Sequence, residues 1–360
     1  MSVFKSLNQQ VENNQEIDLS SEKLRSFNRF DKMPSFIREY IEYIYSIGYS
    51  PNTIQRYIYD FCDFFLFTKR EGNVLIDSAQ IAVADFCELE KSAIERYVSY
   101  LKIEVENEPR TISRKLSALQ SLFTYLVNKE YTTINPVVGV RRPKSGKRNP
   151  KYLTSTEFNK LLEIVLSDYA LTSRQKKYHK ILVTRDYTVI YILIKLGLRV
   201  SELANITLGQ FDFERKVVLL TGKGNKERAI PLTNEVIEVV ERYLFSLPEK
   251  ARPKEHYDHL IIGYNFPNKV YTRNVSTNGL QQMISKHVKR AKKQFLSLKG
   301  KQTSAHTLRH TFATELVNNS VDLITIQQLL GHESVATTQV YTHVHEGFKR
   351  KALESLKKYY

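Results

Sequence analysis

The residues best suited to chemistry crowd into one stretch, AHTLRHTFATELVNNSVDLITIQQLLGHESVATTQVYTHV, running from Ala305 to Val344. It holds imidazoles, a guanidinium and a phenol in a helical, glycine-punctuated setting, a set able to grip and attack a phosphodiester. His306 and Arg309 are three apart in a run of helical character, so both project from one polar, cationic face. Leu323, Ile324, Ile326, Leu329 and Leu330 form an apolar run that stops at Gly331, a natural left-handed helix end, and His332 follows at that stop. Ser334 is placed to cap a short further helix through Val335, Ala336 and Val340, which carries Tyr341 one or two turns beyond His332. A phenol therefore lies near an imidazole.

Two plainer readings compete here. His306 and His310 have the i, i+4 spacing of a zinc pair, but no Glu follows His306 and no third ligand is specified. A helix, turn and helix around Gly331 would also suit a DNA reader that needs no nucleophile.

The whole chain narrows the choice. Its 360 residues suffice for two domains with ordinary cores, and 42% of them are hydrophobic. A net charge of +16 points to a polyanionic partner, most simply nucleic acid. Cys62 and Cys87 form no CxxC pair and read as reduced core thiols of a cytoplasmic protein. The polar start MSVFKSLNQQVENNQ lacks the apolar segment of a secretion signal, and no apolar run has membrane-spanning length.

The elements that must position the chemistry follow from periodicity. Residues 1–32 are read as an N-terminal arm of unknown role, with Leu24, Phe27 and Phe30 its regular apolar positions. From residue 33 to 140 the pattern predicts a helical bundle. Phe36, Ile37, Tyr40, Ile41 and Ile44 mark one amphipathic face, and a second helix opens at Ser50-Pro51 and carries Ile54, Ile58, Phe61, Phe65 and Phe67. A third covers Ala93 to Leu101, and a fourth after Pro109 turns Ile112, Leu116, Leu119, Leu122, Phe123 and Leu126 inward. Arg110, Arg114 and Lys115 are expected mostly on its other faces, where basic side chains can lie along phosphates. Residues 141–150 carry Arg141, Arg142, Lys144, Lys147 and Arg148 with no acid among them, which predicts an extended linker that tracks a DNA backbone.

The second domain opens with Leu153-Thr154-Ser155-Thr156-Glu157-Phe158, in which a Thr or Ser cap precedes an amphipathic helix. A polar, lysine-rich segment at 173–180 precedes a buried helix through Tyr187 to Ile194, which ends in LGLRVSEL. Arg199 lies directly beyond that helix between Leu and Val, and a guanidinium there needs a partner, for which Glu202 is available. Residues 216–221 and 227–232 read as two strands around Gly222-Lys223-Gly224-Asn225-Lys226, a hairpin turn and not a phosphate-cradling loop, because a strand follows it.

LGLRVSEL, GKGNKERAIPL, HTLRHTFATEL and LLGHESVATTQVYTHV resemble, in order and spacing, the boxes of the tyrosine recombinase (phage integrase) family, most closely its Xer-like members. The resemblance covers 151–345 with specific motifs, and the bundle at 33–140 is similar to the family's core-binding domain. It implies a mainly α fold with a small antiparallel β-sheet, a helical SAM-like core-binding domain joined to a tyrosine recombinase catalytic domain. Carried over, the catalytic set is Arg199, Lys223, His306, Arg309, His332 and Tyr341, with Tyr341 the nucleophile, His306 the base and Lys223 the acid. The six together displace the zinc and helix-turn-helix readings as primary accounts. No cofactor or metal is implied.

The activity implied is site-specific recombination of double-stranded DNA through a 3′-phosphotyrosyl link and a Holliday junction. Chromosome dimer resolution is the expected role. Integration of a phage or transposon, a DNA-binding protein without catalysis and a DNA-relaxing topoisomerase are the alternatives. The family works as a tetramer on DNA, with or without a second recombinase or an accessory protein. In the tail from 346 to 360, Phe348, Ala352, Leu353 and Leu356 predict a short amphipathic helix that docks on a neighbouring subunit.

Overall fold

The structure, a computed structural model, describes residues 24–72, 77–144, 146, 151–221 and 227–331. The chain divides into two compact units, Met1–Lys147 and Arg148–Tyr360. Among the described residues no helix is long and apolar enough to cross a membrane.

The first unit is helical: α1 (Ser35–Ser46), α2 (Pro51–Gly72), α3 (Val83–Cys87), α4 (Lys91–Ile103) and α5 (Pro109–Asn128). Helical periodicity explains them, since Phe36, Ile37, Tyr40, Ile41 and Ile44 of α1 are all buried. Proline opens both α2 and α5, where its missing N–H costs no hydrogen bond. The core is aromatic, with Phe86 of α3 stacked on Phe123 of α5 at 5.0 Å and 15°. The short α3 was not expected, and its task is to deliver Phe86.

Two expectations for this unit need correction. The boundary at residue 33 does not divide an arm from the bundle, because Leu24 and Phe30 are buried in the same core as α1. Nor does α5 offer all its basic residues to a ligand. Lys115 is buried and pairs with Asp63 and with buried Asp60, while Arg114 also binds Asp60. Charges placed that deep require partners, and the two acids on α2 supply them. In the linker, Arg142 turns back onto α5, donating to the Ser113 carbonyl, Ser117 Oγ and Gln120 Oε1 at 2.7–2.8 Å.

The second unit comprises α6 (Ser155–Leu166), α7 (Ser173–Lys195), α8 (Val200–Asn205), β1 (Phe211–Asp212), β2 (Val217–Thr221), β3 (Glu227–Pro231), α9 (Asn234–Ser246), β4 (Gly263–Asn265), β5 (Val270–Thr272), α10 (Thr277–Gln294), α11 (Leu296–Lys299), α12 (Ala305–Asn318) and α13 (Leu323–Leu330). α6 begins with the expected cap, which is Thr154, in a capping box with Glu157. The polar segment at 173–180 is not separate: a second capping box, Thr172 with Gln175, starts one helix that runs through it into the buried stretch. Solvent wets the first turns and the core receives the rest.

β1, β2 and β3 form an antiparallel sheet in that order, with Thr221 paired to Glu227 across the predicted hairpin. Val218 and Leu220 of β2 face the core with the period of two that a half-buried strand requires. The β4–β5 hairpin was not anticipated, and its strands of three residues are too short to show a pattern.

Candidate active site

α7 ends at a tight reversal. Gly197 lies at φ +61°, and a β-carbon there would come within 2.2 Å of the Phe312 ring on α12, so glycine is needed for both conformation and space. That close approach brings the start of α8 against α12 and α13.

Arg199 caps the N-terminus of α8, and Glu202 sits three residues into it. The Glu202 carboxylate accepts from the Arg199 backbone N–H at 2.7 Å and from Arg199 Nη1 at 2.8 Å. It also accepts from Arg228 Nη2 at 2.8 Å, and Arg309 Nη1 stands 3.8 Å away. Three guanidiniums thus surround one carboxylate. Burial pushes the Glu202 carboxyl up, but hydrogen bonds from Arg228 and Arg199 outweigh it and hold the group below the usual range.

The same arginines cap α13. Its last carbonyls have no partner within the helix. Leu329 O accepts from Arg228 Nε at 3.2 Å, Leu330 O from Arg309 Nη2, and Gly331 O from Arg199 Nη2 at 3.1 Å. Three successive carbonyls meet three different guanidiniums at the negative end of the helix dipole. Asp322 fixes the other end of α13 by accepting from the Ile324 and Thr325 N–H groups at 2.9 Å. Gly331 is left-handed at φ +62°, so the chain turns where the apolar run predicted.

Accessibility separates the arginines. Arg309 is buried and also donates to the Gly197 carbonyl at 2.8 Å, whereas the Arg199 side chain keeps 43% of its surface open. His306 is exposed one turn before Arg309 on α12, which Ser304 caps. Crowding by surrounding protein and the charges of Arg309 and Arg199 hold its imidazole below the ordinary value. The His310 ring meets the His306 ring nearly edge-on, with centroids 4.5 Å apart at 76°, and burial together with His306 and Arg309 lowers it to about 4.

Of the six residues expected from the sequence, Arg199, His306 and Arg309 therefore come together here. Lys223, His332 and Tyr341 lie outside the described residues, as does the tail helix. Lys223 follows β2 by two residues and His332 follows Gly331 directly in the chain. Sequence reasoning missed Arg228. Its signal was the alternation in β3, where Arg228 shares the inward parity of Ile230.

Residues 151–347 match the phage integrase family, and residues 36–133 match the phage integrase N-terminal SAM-like domain. The chain belongs to the phage integrase family and is a Xer-like tyrosine site-specific recombinase. It is similar to the tyrosine recombinase XerC of Caldanaerobacter subterraneus subsp. tengcongensis, 35% identical over 340 residues, 91% of this chain and 88% of the relative. Tyrosine recombinase XerC of Listeria welshimeri is 32% identical over 309 residues, 85% and 92% of the two chains. Among solved structures, XerH bound to palindromic difH substrate in a post-cleavage complex shares the fold with a TM-score of 0.60 at 21% identity, covering 85% of this chain and 79% of that one. The integrase of transposon Tn1549 in complex with right end DNA does so at 0.65 and 20%, covering 89% and 99%.

Proposed function

We propose that the arginine cluster around Glu202 is the phosphate-binding half of a strand-exchange site, completed by Lys223, His332 and Tyr341. The observation that carries this reading is the imbalance of charge, three guanidiniums against one carboxylate with Arg199 open to solvent. A phosphodiester resists attack because the nucleophile meets negative charge and the leaving alkoxide is poor. Arg199 forks onto the non-bridging oxygens, and Arg309, held by the Gly197 and Leu330 carbonyls, adds its positive charge beside it; together they neutralise the charge that grows in the pentacoordinate transition state.

A tyrosine hydroxyl, ordinarily ionising near pH ~10, needs a base to attack at neutral pH. His306 takes that proton as Tyr341 attacks phosphorus, and the depressed basicity of its ring keeps it free to do so. His332 hydrogen-bonds the phosphate. Lys223 protonates the departing 5′ oxygen, leaving a 3′-phosphotyrosyl link. The link conserves bond energy, so a 5′ hydroxyl of a second strand reverses the chemistry onto a new partner through a Holliday junction.

Exchange between two duplexes takes four such sites, which supports a homotetramer on DNA joined through the tail at 346–360. Similarity to the XerC proteins favours chromosome dimer resolution over phage or transposon integration. The test is incubation of wild type and Tyr341→Phe with supercoiled plasmid carrying candidate sites. An SDS-resistant protein–DNA adduct with wild type alone is expected. Binding of DNA by both proteins with no adduct from either, across the tested sites, contradicts the assignment.

A further inference from the structure

Arg228 belongs to none of the roles above, yet its side chain is 11% exposed and donates to acceptors on two different helices. It is the fifth residue after Lys223, on the return strand of the same hairpin, with Leu220 opposite it in the register. A guanidinium this enclosed must be matched by acceptors on each side. Nη2 reaches Glu202 on α8 at 2.8 Å, and Nε reaches the Leu329 carbonyl on α13 at 3.2 Å. The third side is closed by Gly331, where a β-carbon would lie 2.8 Å from Nη1 and 3.1 Å from Cζ. Glycine at 331 therefore serves the left-handed turn and also makes room for this guanidinium.

The contacts are distributed in an informative way. Glu202 orients Arg199 and stands near Arg309, so whatever holds Glu202 also sets the spacing of the two phosphate-binding groups. Leu329 lies three residues before His332 in the chain. One side chain on the hairpin strand thus ties together α8 and the end of α13, each contributing a different part of the site.

We infer that Arg228 is a positioning residue of the recombinase site, a strap that fixes β3, α8 and the C-terminus of α13 at the spacing Arg199 and Arg309 need. This rests on the assignment of those arginines to the scissile phosphate. Lysine cannot replace it, because one ammonium does not offer two donors diverging along a rigid plane.

The test uses the full chain with Arg228→Lys, Glu202→Gln and the double variant. In DNA-free protein, Arg228→Lys should speed amide exchange by about tenfold in the last turn of α13 and the first turn of α8, the effect of losing one charged hydrogen bond. Exchange in the buried part of α7 should stay as in wild type. Single-turnover formation of the tyrosyl adduct on a nicked site should fall by about 100-fold, as a misplacement near 1 Å produces, with site affinity held within about twofold. The double variant should be no slower than the slower single variant. Wild-type exchange and cleavage in Arg228→Lys, uniform loss of protection throughout the unit, or additive losses in the double variant would each overturn the inference. If wild type binds a site and forms no adduct through Tyr341, the catalytic reading fails instead, and the exchange pattern alone decides whether Arg228 is the strap.

Discussion

Among the described residues of the second unit, two clusters of arginine and carboxylate are built to opposite ends. Around Glu202, three guanidiniums converge and Arg199 stays open. Around Asp186, the donors close on themselves. Arg185 donates to Asp186 Oδ1 at 2.7 Å, His287 Nε2 lies 2.9 Å from Oδ2, and Arg290 Nη1 donates to His287 Nδ1 at 2.9 Å. The remaining donors of Arg290 end on the Tyr169 and Ser167 carbonyls, and Arg185 Nη1 reaches the Ile262 carbonyl. Because an arginine only donates, Nδ1 must accept and Nε2–H must point to Asp186. That network pins α6, α7, α10 and the lead into β4 with nothing left for a ligand. Buried charge is common to both clusters; the open guanidinium beside an over-matched carboxylate is particular to Glu202, and it is what supports the proposed phosphate site.

The comparison breaks first at Arg199. Replacing it with lysine keeps a charge but loses the fork, and the rate of adduct formation should fall by about 100-fold, the scale of one transition-state donor. Its melting temperature should move little, since the side chain is partly exposed. Glu202→Gln removes the shared counter-charge from beneath three guanidiniums. It should weaken the unit by about 2 kcal/mol on thermal unfolding and also slow cleavage, because the arginines lose their common anchor. A variant that slows neither would separate Glu202 from the site.

Asp186→Asn should do the reverse of Arg199→Lys. Leaving Arg185 and His287 without their carboxylate costs about 3 kcal/mol, or a fall in Tm of about 10 °C. At a temperature where it is folded, cleavage should stay near wild type. Acid sharpens the same point. Burial pushes the Asp186 carboxyl up, but Arg185 and His287 overcome this and hold it at about 2. A carboxyl depressed in the folded state stabilises it above the unfolded value near pH ~4, and the contribution drains away as pH falls from there towards 2. Asp186→Asn should therefore flatten the acid limb of a stability-against-pH curve.

The smallest effect concerns His306. Surrounding protein, Arg309 and Arg199 depress its imidazole, so the unprotonated form needed of a base persists below the ordinary pH ~6.5. Single-turnover rates measured against pH should hold their plateau through 6.5 and fall only on the acid side of it. A limb at or above 6.5 would remove His306 from the role of base.

These contrasts also explain what the sequence could reveal. α1, α2 and α5 announced themselves because their apolar residues repeat with helical period and their starts carry Ser50-Pro51 or Pro109. Gly331 announced the end of α13, and the family motifs led to Arg199, His306 and Arg309. For Arg228 the alternation of β3 carried its inward parity, but not its partners, which lie 26 and 101 residues away with no local pattern to link them. Asp186, His287 and Arg290 were hidden likewise in helices whose periodicity is set by their apolar neighbours. Lys115 looked like a surface cation until α2 supplied Asp60 and Asp63. Three-residue strands such as β4 and β5 carry too few alternations to register. Local rules thus located elements and motif residues, while the pairing of charges across elements required the fold.

The most direct measurement sets Arg199→Lys beside Asp186→Asn, recording for each the melting temperature and the single-turnover yield of tyrosyl adduct on a bound DNA site. The account predicts a cleavage defect with near-normal melting for Arg199→Lys, and a melting defect with near-normal cleavage of the folded protein for Asp186→Asn. Normal cleavage by Arg199→Lys, or a cleavage loss in folded Asp186→Asn equal to that of Arg199→Lys, would contradict the assignment of the Glu202 cluster as the place where phosphate is held.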